Sequence, residues 1–502
     1  MPDTIILDGP LTWRNIGAIA NGTALQLSQA AWQRISDARS IVDALVERGI
    51  RGYGINTGVG ALCDVIIDRD KQQALSRNIL LSHSCGVGPA LGQEPTRAIM
   101  AAQIANFAHG FSGIHPDTVK ALLILLNANI LPVIPSGGSV GYLTHAAAIG
   151  TVLIGEGTAV FEGNLITGAQ ALQQAGLAPL TLQAKEGLSL VNGTPCATGL
   201  ASLALSRLEG LLDWADVSAA MTYENLGSQS DPFAAEPLAL RKSQGLQQVG
   251  KTLRHWLAGS ELLAQSAGSR TQDPLSLRAV PQIHGAVRDA FLNAGDLVNQ
   301  ELESVTDNPV VTGSANNPLV HSQAHAVGAA LGLAMDSLAT AAAELAAVSE
   351  RRIDRLVNPL VSGLPAFLAA EGGVFSGYMI IQYTAAALVA ENRRLAAPAS
   401  LDGGITSALQ EDILTHATPA ADKALSIVSN LQTVLAIELL AAAQAYDVQP
   451  QPAAKAAKTG QVYELIRTHI AAYHDDRPLN TDVATLSALI GSTSVIEPER
   501  LP

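Results

Sequence analysis

The sequence predicts a mainly α protein: a bundle of long helices preceded by a smaller mixed region, with the change near residue 200. Three observations carry this. Hydrophobic residues make up 48% of the 502 and aromatics only 4%; the excess is Ala and Leu, the strongest helix formers among apolar residues. Up to about residue 200, short segments alternate with Gly-rich turns. Beyond it, helical periodicity runs through 201–217, 282–305, 321–349, 377–394 and 420–445, several of them much longer than the average globular helix. Ala-rich helices that are apolar on more than one face need neighbours on several sides, which suggests burial inside an oligomer. The division expected is 1–200 for the mixed region and 201–502 for the bundle and C-terminal helices. No Pro/Ser linker separates them.

Composition excludes some functions. A net charge of −14 with no basic run argues against nucleic acid and anionic membrane surfaces as partners, because a phosphate-binding face needs clustered Lys and Arg. The start, MPDTIILDGPLTW, lacks a positive n-region and a long apolar core, so a cytoplasmic chain is expected. The apolar stretches 378–390 and 431–443 read as shorter than a membrane span or interrupted by charge such as Glu438. Cys63, Cys85 and Cys196 cannot pair completely and show no zinc spacing, so reduced thiols and no metal site are expected. The glycines around Tyr53 do not have dinucleotide-loop spacing and no βαβ pattern surrounds them, so no nucleotide is expected.

The motifs say more. Residues 51–60 read RGYGINTGVG and 80–88 LLSHSCGVG; 135–157 read PSGGSVGYLTHAAAIGTVLIGEG; 190–194 read LVNGT, 271–282 TQDPLSLRAVPQ and 305–309 VTDNP. SERRIDRLVNP begins at Ser349, GLPAFL at Gly363 and GGVFSGYM at Gly372, and 407–412 read SALQED. In this order, from about residue 5 to 447, the chain resembles the histidine ammonia-lyase-like members of the aromatic amino acid lyase and aminomutase family. The resemblance implies the helical fold of that family, of the fumarase/aspartase type, and a homotetramer whose active sites are shared between subunits. It also implies a 4-methylidene-imidazol-5-one (MIO) ring formed autocatalytically from an Ala-Ser-Gly tripeptide. In the family that tripeptide follows Gly-Ser-Val-Gly, whereas here Gly141 runs straight into Tyr142, with everything after it in register to Gly155-Glu156-Gly157. A cyclised tripeptide has no one-letter code, and the ring is expected between Gly141 and Tyr142.

The family's functional positions carry over one at a time. Tyr53, on its Gly-flanked loop with Gly60 at the end of the motif, is implied as the base that removes the β-proton. Arg278 is implied as the carboxylate anchor, a guanidinium being able to hold both oxygens in a fork. Asn192 and Gln272 are implied as neutral hydrogen-bonding groups around the substrate. Ser82-His83 and Gln410-Glu411 resemble the histidine-specific branch, where an imidazole and a carboxylate suit a polar, protonatable ring. Taken singly, each has an ordinary reading: a packed tyrosine, a solvated arginine, turn amides, a core histidine, a helix-surface charge.

Three departures fall at pocket positions. Leu275 replaces a family tyrosine, Tyr142 replaces the aspartate after the tripeptide, and in 323–327, QAHAV, His325 and Ala326 replace Asn and Phe. They point to a modified substrate such as a histidine derivative or another amino acid. Ammonia elimination to an α,β-unsaturated, urocanate-like acid is the expected reaction. A 2,3-aminomutase and a non-catalytic structural paralogue are the alternatives.

Overall fold

The computed structural model describes residues 4–401, 403–450 and 453–492. It is mainly helical, and two compact units are interleaved along the chain. The first holds the described residues of Met1–Ser206, Ala294–Asp336 and Pro398–Asp422; the second holds those of Arg207–Asn293, Ser337–Ala397 and Lys423–Pro502.

In the first unit, helix Gln93–Ala108 is buried on every face from Thr96 to Ala108, as its Ala-rich sequence requires. Small residues let its neighbours come close. A Cβ on Gly199 would lie 2.7 Å from the Ile99 nitrogen, and one on Gly187 would lie 2.1 Å from the Ser76 carbonyl oxygen. The second contact packs the short helix Glu186–Val191 onto helix Gln72–His83, so that the segment ending in His83 and the one leading to Asn192 share a wall. The unit's strands are short: a parallel pair, Thr4–Leu7 with Ala24–Leu27, a three-stranded antiparallel sheet around Thr158–Phe161, the pair Val87–Ala90 with Pro135–Gly137, and the hairpin Val310–Ser314 with Asn317–His321. Val311 of that hairpin enters a core of Ala38, Ile41, Val42, Leu45, Ile55 and Ala184.

The second unit buries charge as well as apolar surface. Glu438 is wholly inaccessible and accepts from Arg352 Nε (2.6 Å), Arg352 Nη2 (2.9 Å), Ser349, Thr222 and Ser218. His284 meets Asp216 at 2.8 Å, and Arg288 bridges Asp216 and Asp213. Removing one partner of such a pair would leave a buried charge uncompensated, which is strongly destabilising.

The long helices expected beyond residue 200 are present as Pro195–Asn225, Val280–Glu303, Ala329–Val357, Met379–Leu395 and Ala417–Asp447. Two expectations need correction. The helix expected over 321–349 begins only at Ala329, because 317–321 is a hairpin strand and 322–328 a turn; helical periodicity cannot see a hydrogen-bonded hairpin closing upstream. The stretch 431–443 is not short: it lies within the 31-residue helix Ala417–Asp447. That helix and the segments Glu186–Asn225 and Ala329–Val357 are long and apolar enough to cross a membrane by length and composition, and their most apolar windows are 72%, 100% and 61% buried within the protein. Glu438, invoked as an interrupting charge, is instead one half of an internal ion pair.

Candidate active site

Tyr53 follows Gly52 in a turn tied down by its own polar groups: Asn56 Oδ1 accepts from Gly52 N at 2.9 Å and Thr57 Oγ1 from Gly54 N at 3.0 Å. Gly54 has φ +61°, and a Cβ there would strike Leu188 Cδ2 at 2.2 Å, so only glycine fits. The phenol oxygen of Tyr53 accepts from the Gly60 N–H at 2.8 Å. Burial pushes the Tyr53 pKa up, the Gly60 N–H opposes this, and nearby Glu411 and Cys63 add to it. Gly60 is thus the group that favours the phenolate a base needs.

Glu411 reaches the same place from another loop. Its backbone pairs with Thr406, and the residues between, Ser407, Ala408 and Leu409, have φ of 51°, 49° and 79°. Three consecutive non-glycine residues in the left-handed region are strained, a state that persists where the surroundings enforce it. Ser407 Oγ accepts from Ala61 N at 3.1 Å, tying this loop to the Tyr53 loop. Tyr142 Oη donates to Glu411 Oε2 at 2.7 Å, and burial together with Glu411 and Tyr53 drives its pKa well above that of an ordinary phenol. Two phenols therefore flank one carboxylate. Gln410 is exposed beside it and bonds through its backbone to Ser407.

The junction before Tyr142 fits a three-residue ring. Leu143 has φ +80° and ψ −76°, with Thr144 N donating to the Tyr142 carbonyl in a tight, strained turn. It stands at the start of helix Thr144–Leu153, which has no side-chain cap. Gly141 is held on the other side, its carbonyl accepting from Thr418 Oγ1 at 2.9 Å. The uncapped N–H groups at the helix start favour electron-rich oxygen beside them.

His83 ends helix Gln72–His83, and its Nδ1 lies 3.0 Å from Ser82 Oγ. The Ser82 hydroxyl also reaches the Ile79 carbonyl at 3.3 Å; with its proton directed there, Nδ1–H would donate to Ser82 and Nε2 would be left as an acceptor. Burial lowers the His83 pKa, favouring the neutral imidazole. Asn192, 9% exposed, donates from Nδ2 to the Asn308 carbonyl at 2.6 Å. His325 is exposed and Ala326 buried, in the turn whose Gln323 Oε1 accepts from His325 N.

All of these residues lie in the first unit. Gln272, Leu275 and Arg278 belong to the second. Gln272 is exposed, Leu275 is 64% exposed at the start of a single helical turn, and Arg278 ends that turn with a buried Nε that has no hydrogen-bond partner among the described residues, an arrangement suited to an anion. An open groove of about 1080 Å³ in the second unit, lined by Ile380, Gln432, Tyr473 and Arg477 among others, includes none of the expected residues. Among the described residues no group of three His, Cys, Asp or Glu side chains is placed to hold a metal. Sequence reasoning did not single out Ser407, Thr418, Asn308 or Gln323. Asn308 stood within the quoted VTDNP motif, but no residue type there reveals that a carbonyl is the functional group.

Buried histidines give the first unit a testable acid response. Burial lowers the pKa of His83, His109 and His145 below the ordinary 6.5, against the opposing carbonyls of Ile79, Leu302 and Ser136. A depressed folded-state pKa contributes stability that is present above 6.5 and lost as pH falls through the folded values. Glu301 and Asp422, raised by burial, act in the opposite sense. The contribution is therefore isolated by substitution: the slope of melting temperature against pH, between about pH 7 and 5.5, is expected to be shallower in His145→Gln than in the parent. Parallel slopes would remove His145 from the account.

Comparison with known proteins places the chain in a family. The model of the aromatic amino acid lyase family matches residues 11–468. The chain is similar to histidine ammonia-lyase of Symbiobacterium thermophilum, 42% identical over 98% of both chains. Among solved structures it resembles histidine ammonia-lyase from Trypanosoma cruzi, with TM-score 0.90 and 35% identity over 98% of this chain and 94% of that one. It also resembles tyrosine aminomutase from Streptomyces globisporus, with TM-score 0.91 and 31% identity over 97% of each. With a family model spanning nearly its whole length and relatives aligned end to end, this chain belongs to the aromatic amino acid lyase family.

Proposed function

We propose that the protein is an ammonia-lyase acting on histidine or a close derivative of it. The observation that carries this reading is the convergence of Tyr53 and Tyr142 on Glu411, with Gly60 N–H on the Tyr53 oxygen. A MIO ring between Gly141 and Tyr142 would supply the electrophile that ordinary side chains lack. Tyr53, as a phenolate steadied by Gly60, takes the β-proton; the C–N electron pair leaves with nitrogen as ammonia, and a carbon–carbon double bond remains. Arg278 holds the substrate carboxylate, and Asn192 and Gln272 supply neutral hydrogen bonds elsewhere around the substrate. Within the described residues no hydrogen bond reaches Glu411 Oε1, which can accept from a ring N–H, while His83 Nε2 offers a second acceptor. Ser82 and Gln410 support these two groups, and Leu275, His325 and Ala326 shape the pocket.

The tyrosine phenol and the ring segment both fall in residues 1–200, to which we assign the proton-transfer chemistry; residues 201–502 form the long-helix bundle and C-terminal helices and contribute the substrate-binding Arg278 and Glu411. The half-exposed Arg278 and exposed Leu275 suit a homotetramer in which subunits share sites. We place the protein in the cytoplasm, with its apolar helices packed in that assembly and with neither nucleic acid nor membrane as partner.

The test is a panel of amino acids assayed for acrylate formation. Imidazole substrates are expected to outpace phenylalanine and tyrosine, because burying two polar groups against a phenyl ring leaves hydrogen bonds unmade at roughly 1–3 kcal/mol each. Leu275→Tyr is expected to raise the rate on plain histidine. Preference for phenylalanine or tyrosine over every imidazole substrate would overturn the roles of His83 and Glu411, and a β-amino acid product would move the protein to the aminomutases.

A further inference from the structure

Two adjacent residues, Asp307 and Asn308, grip both ends of helix Glu186–Val191. At its start stands Lys185, wholly buried, with φ +72°, a left-handed conformation that a lysine adopts only where its surroundings enforce it. Its ammonium donates to Asp307 Oδ2 at 2.9 Å and to Ser189 Oγ at 2.8 Å. Asp307 is also wholly buried, and its other oxygen, Oδ1, accepts from the Asn308 N–H at 2.7 Å. The carboxylate therefore fixes the peptide that leads into Asn308. At the other end of the helix, the Asn308 carbonyl accepts from Asn192 Nδ2 at 2.6 Å.

A carbonyl can only accept, so the nitrogen of the Asn192 carboxamide must face it and the amide oxygen must face away. The same corner reaches the turn carrying His325 and Ala326. Gln323 Nε2 donates to the Asp307 carbonyl at 3.0 Å, Gln323 N donates to Asn308 Oδ1 at 2.9 Å, and Gln323 Oε1 accepts from His325 N at 2.5 Å. One buried ion pair thus connects two separate parts of the candidate site.

We propose that Lys185 and Asp307 are positioning residues: their ion pair sets the Asn308 carbonyl, which orients the Asn192 carboxamide with its oxygen presented to the substrate amine as an acceptor. This rests on the placement of Asn192 at the substrate in the lyase reading. A buried pair that merely held the core would lower stability when altered, without acting through Asn192.

A double-mutant cycle separates the two. Lys185→Met with Asp307→Asn neutralises the pair together, so that neither charge is left buried alone. Using whichever amino acid the panel shows to be turned over, this pair variant is expected to lower kcat/KM about tenfold or more, chiefly in kcat, but less than about twofold further in an Asn192→Ala background. Equal losses in both backgrounds, or no loss in either, overturn the proposal. If the pair variant does not fold, Ser189→Ala removes the hydroxyl that accepts from Lys185 and lies within reach of the Ser112 carbonyl and Asp307 Oδ2, leaves the ion pair in place, and enters the same cycle, with a smaller loss that must again vanish without Asn192. If no amino acid is turned over, the lyase reading fails. The positioning role is then judged by a crystal structure of the pair variant, or of Ser189→Ala if the pair variant does not fold: a carboxamide displaced from the Asn308 carbonyl supports it, and an unmoved one refutes it.

Discussion

Replacing Tyr53 by phenylalanine is expected to lower turnover about a hundredfold or more, the usual loss when a placed acid/base group is removed, or about 2.7 kcal/mol on the barrier. The fold should scarcely notice. Among the described residues the phenol oxygen makes one hydrogen bond, to the Gly60 N–H, and that N–H lies on a partly exposed turn where water can replace it, at a net cost of about 1 kcal/mol. Burial already raises the Tyr53 pKa, so the reactive phenolate is a minor form whose population rises with pH. Activity in the parent should accordingly climb on the alkaline side, and the residual activity of the variant should not. Steady-state kinetics over a pH series, with melting temperature as the control, checks both halves. Undiminished turnover would place the base on another residue.

The second large effect concerns the ring. The purified protein is expected to be heavier than its 502 standard residues by one Ala-Ser-Gly unit less two waters, located by peptide mapping between Gly141 and Tyr142. Borohydride, which reduces the electrophile, should abolish activity and add hydrogen to that peptide alone. The structural motive is local: Leu143 with its positive φ, and the helix start behind it with no side-chain cap among the described residues, stand directly after the expected ring position, and the Gly141 carbonyl before it accepts from Thr418. An intact mass equal to that of the standard residues would remove the ring and with it the lyase chemistry.

Much of this was legible in the residues alone, and the reason differs from case to case. Ala and Leu periodicity marks the long helices because a helix repeats a physical pattern every 3.6 residues; it failed at 321–328, where the Val310–Ser314 and Asn317–His321 hairpin is held by pairing across the chain. Glu438 illustrates the same limit. In sequence it reads as a charge interrupting an apolar helix; in the structure it is a fully buried acceptor for Arg352 and three hydroxyls, because a partner 86 positions away makes burial affordable.

The sequence by itself determined which chemical groups are available: the helical class, the family, the phenol at 53, the imidazole at 83, the carboxamide at 192 and the carboxylate at 411, each of them a property of residue type and motif order. Tertiary structure alone decided what those groups can do. It placed the Gly60 N–H on the Tyr53 oxygen, joined Tyr142 to Glu411 and turned Asn192 by way of a backbone carbonyl at Asn308. The physical reason is that protonation state and orientation depend on desolvation and on partners close in space, and the chain order of side chains carries neither.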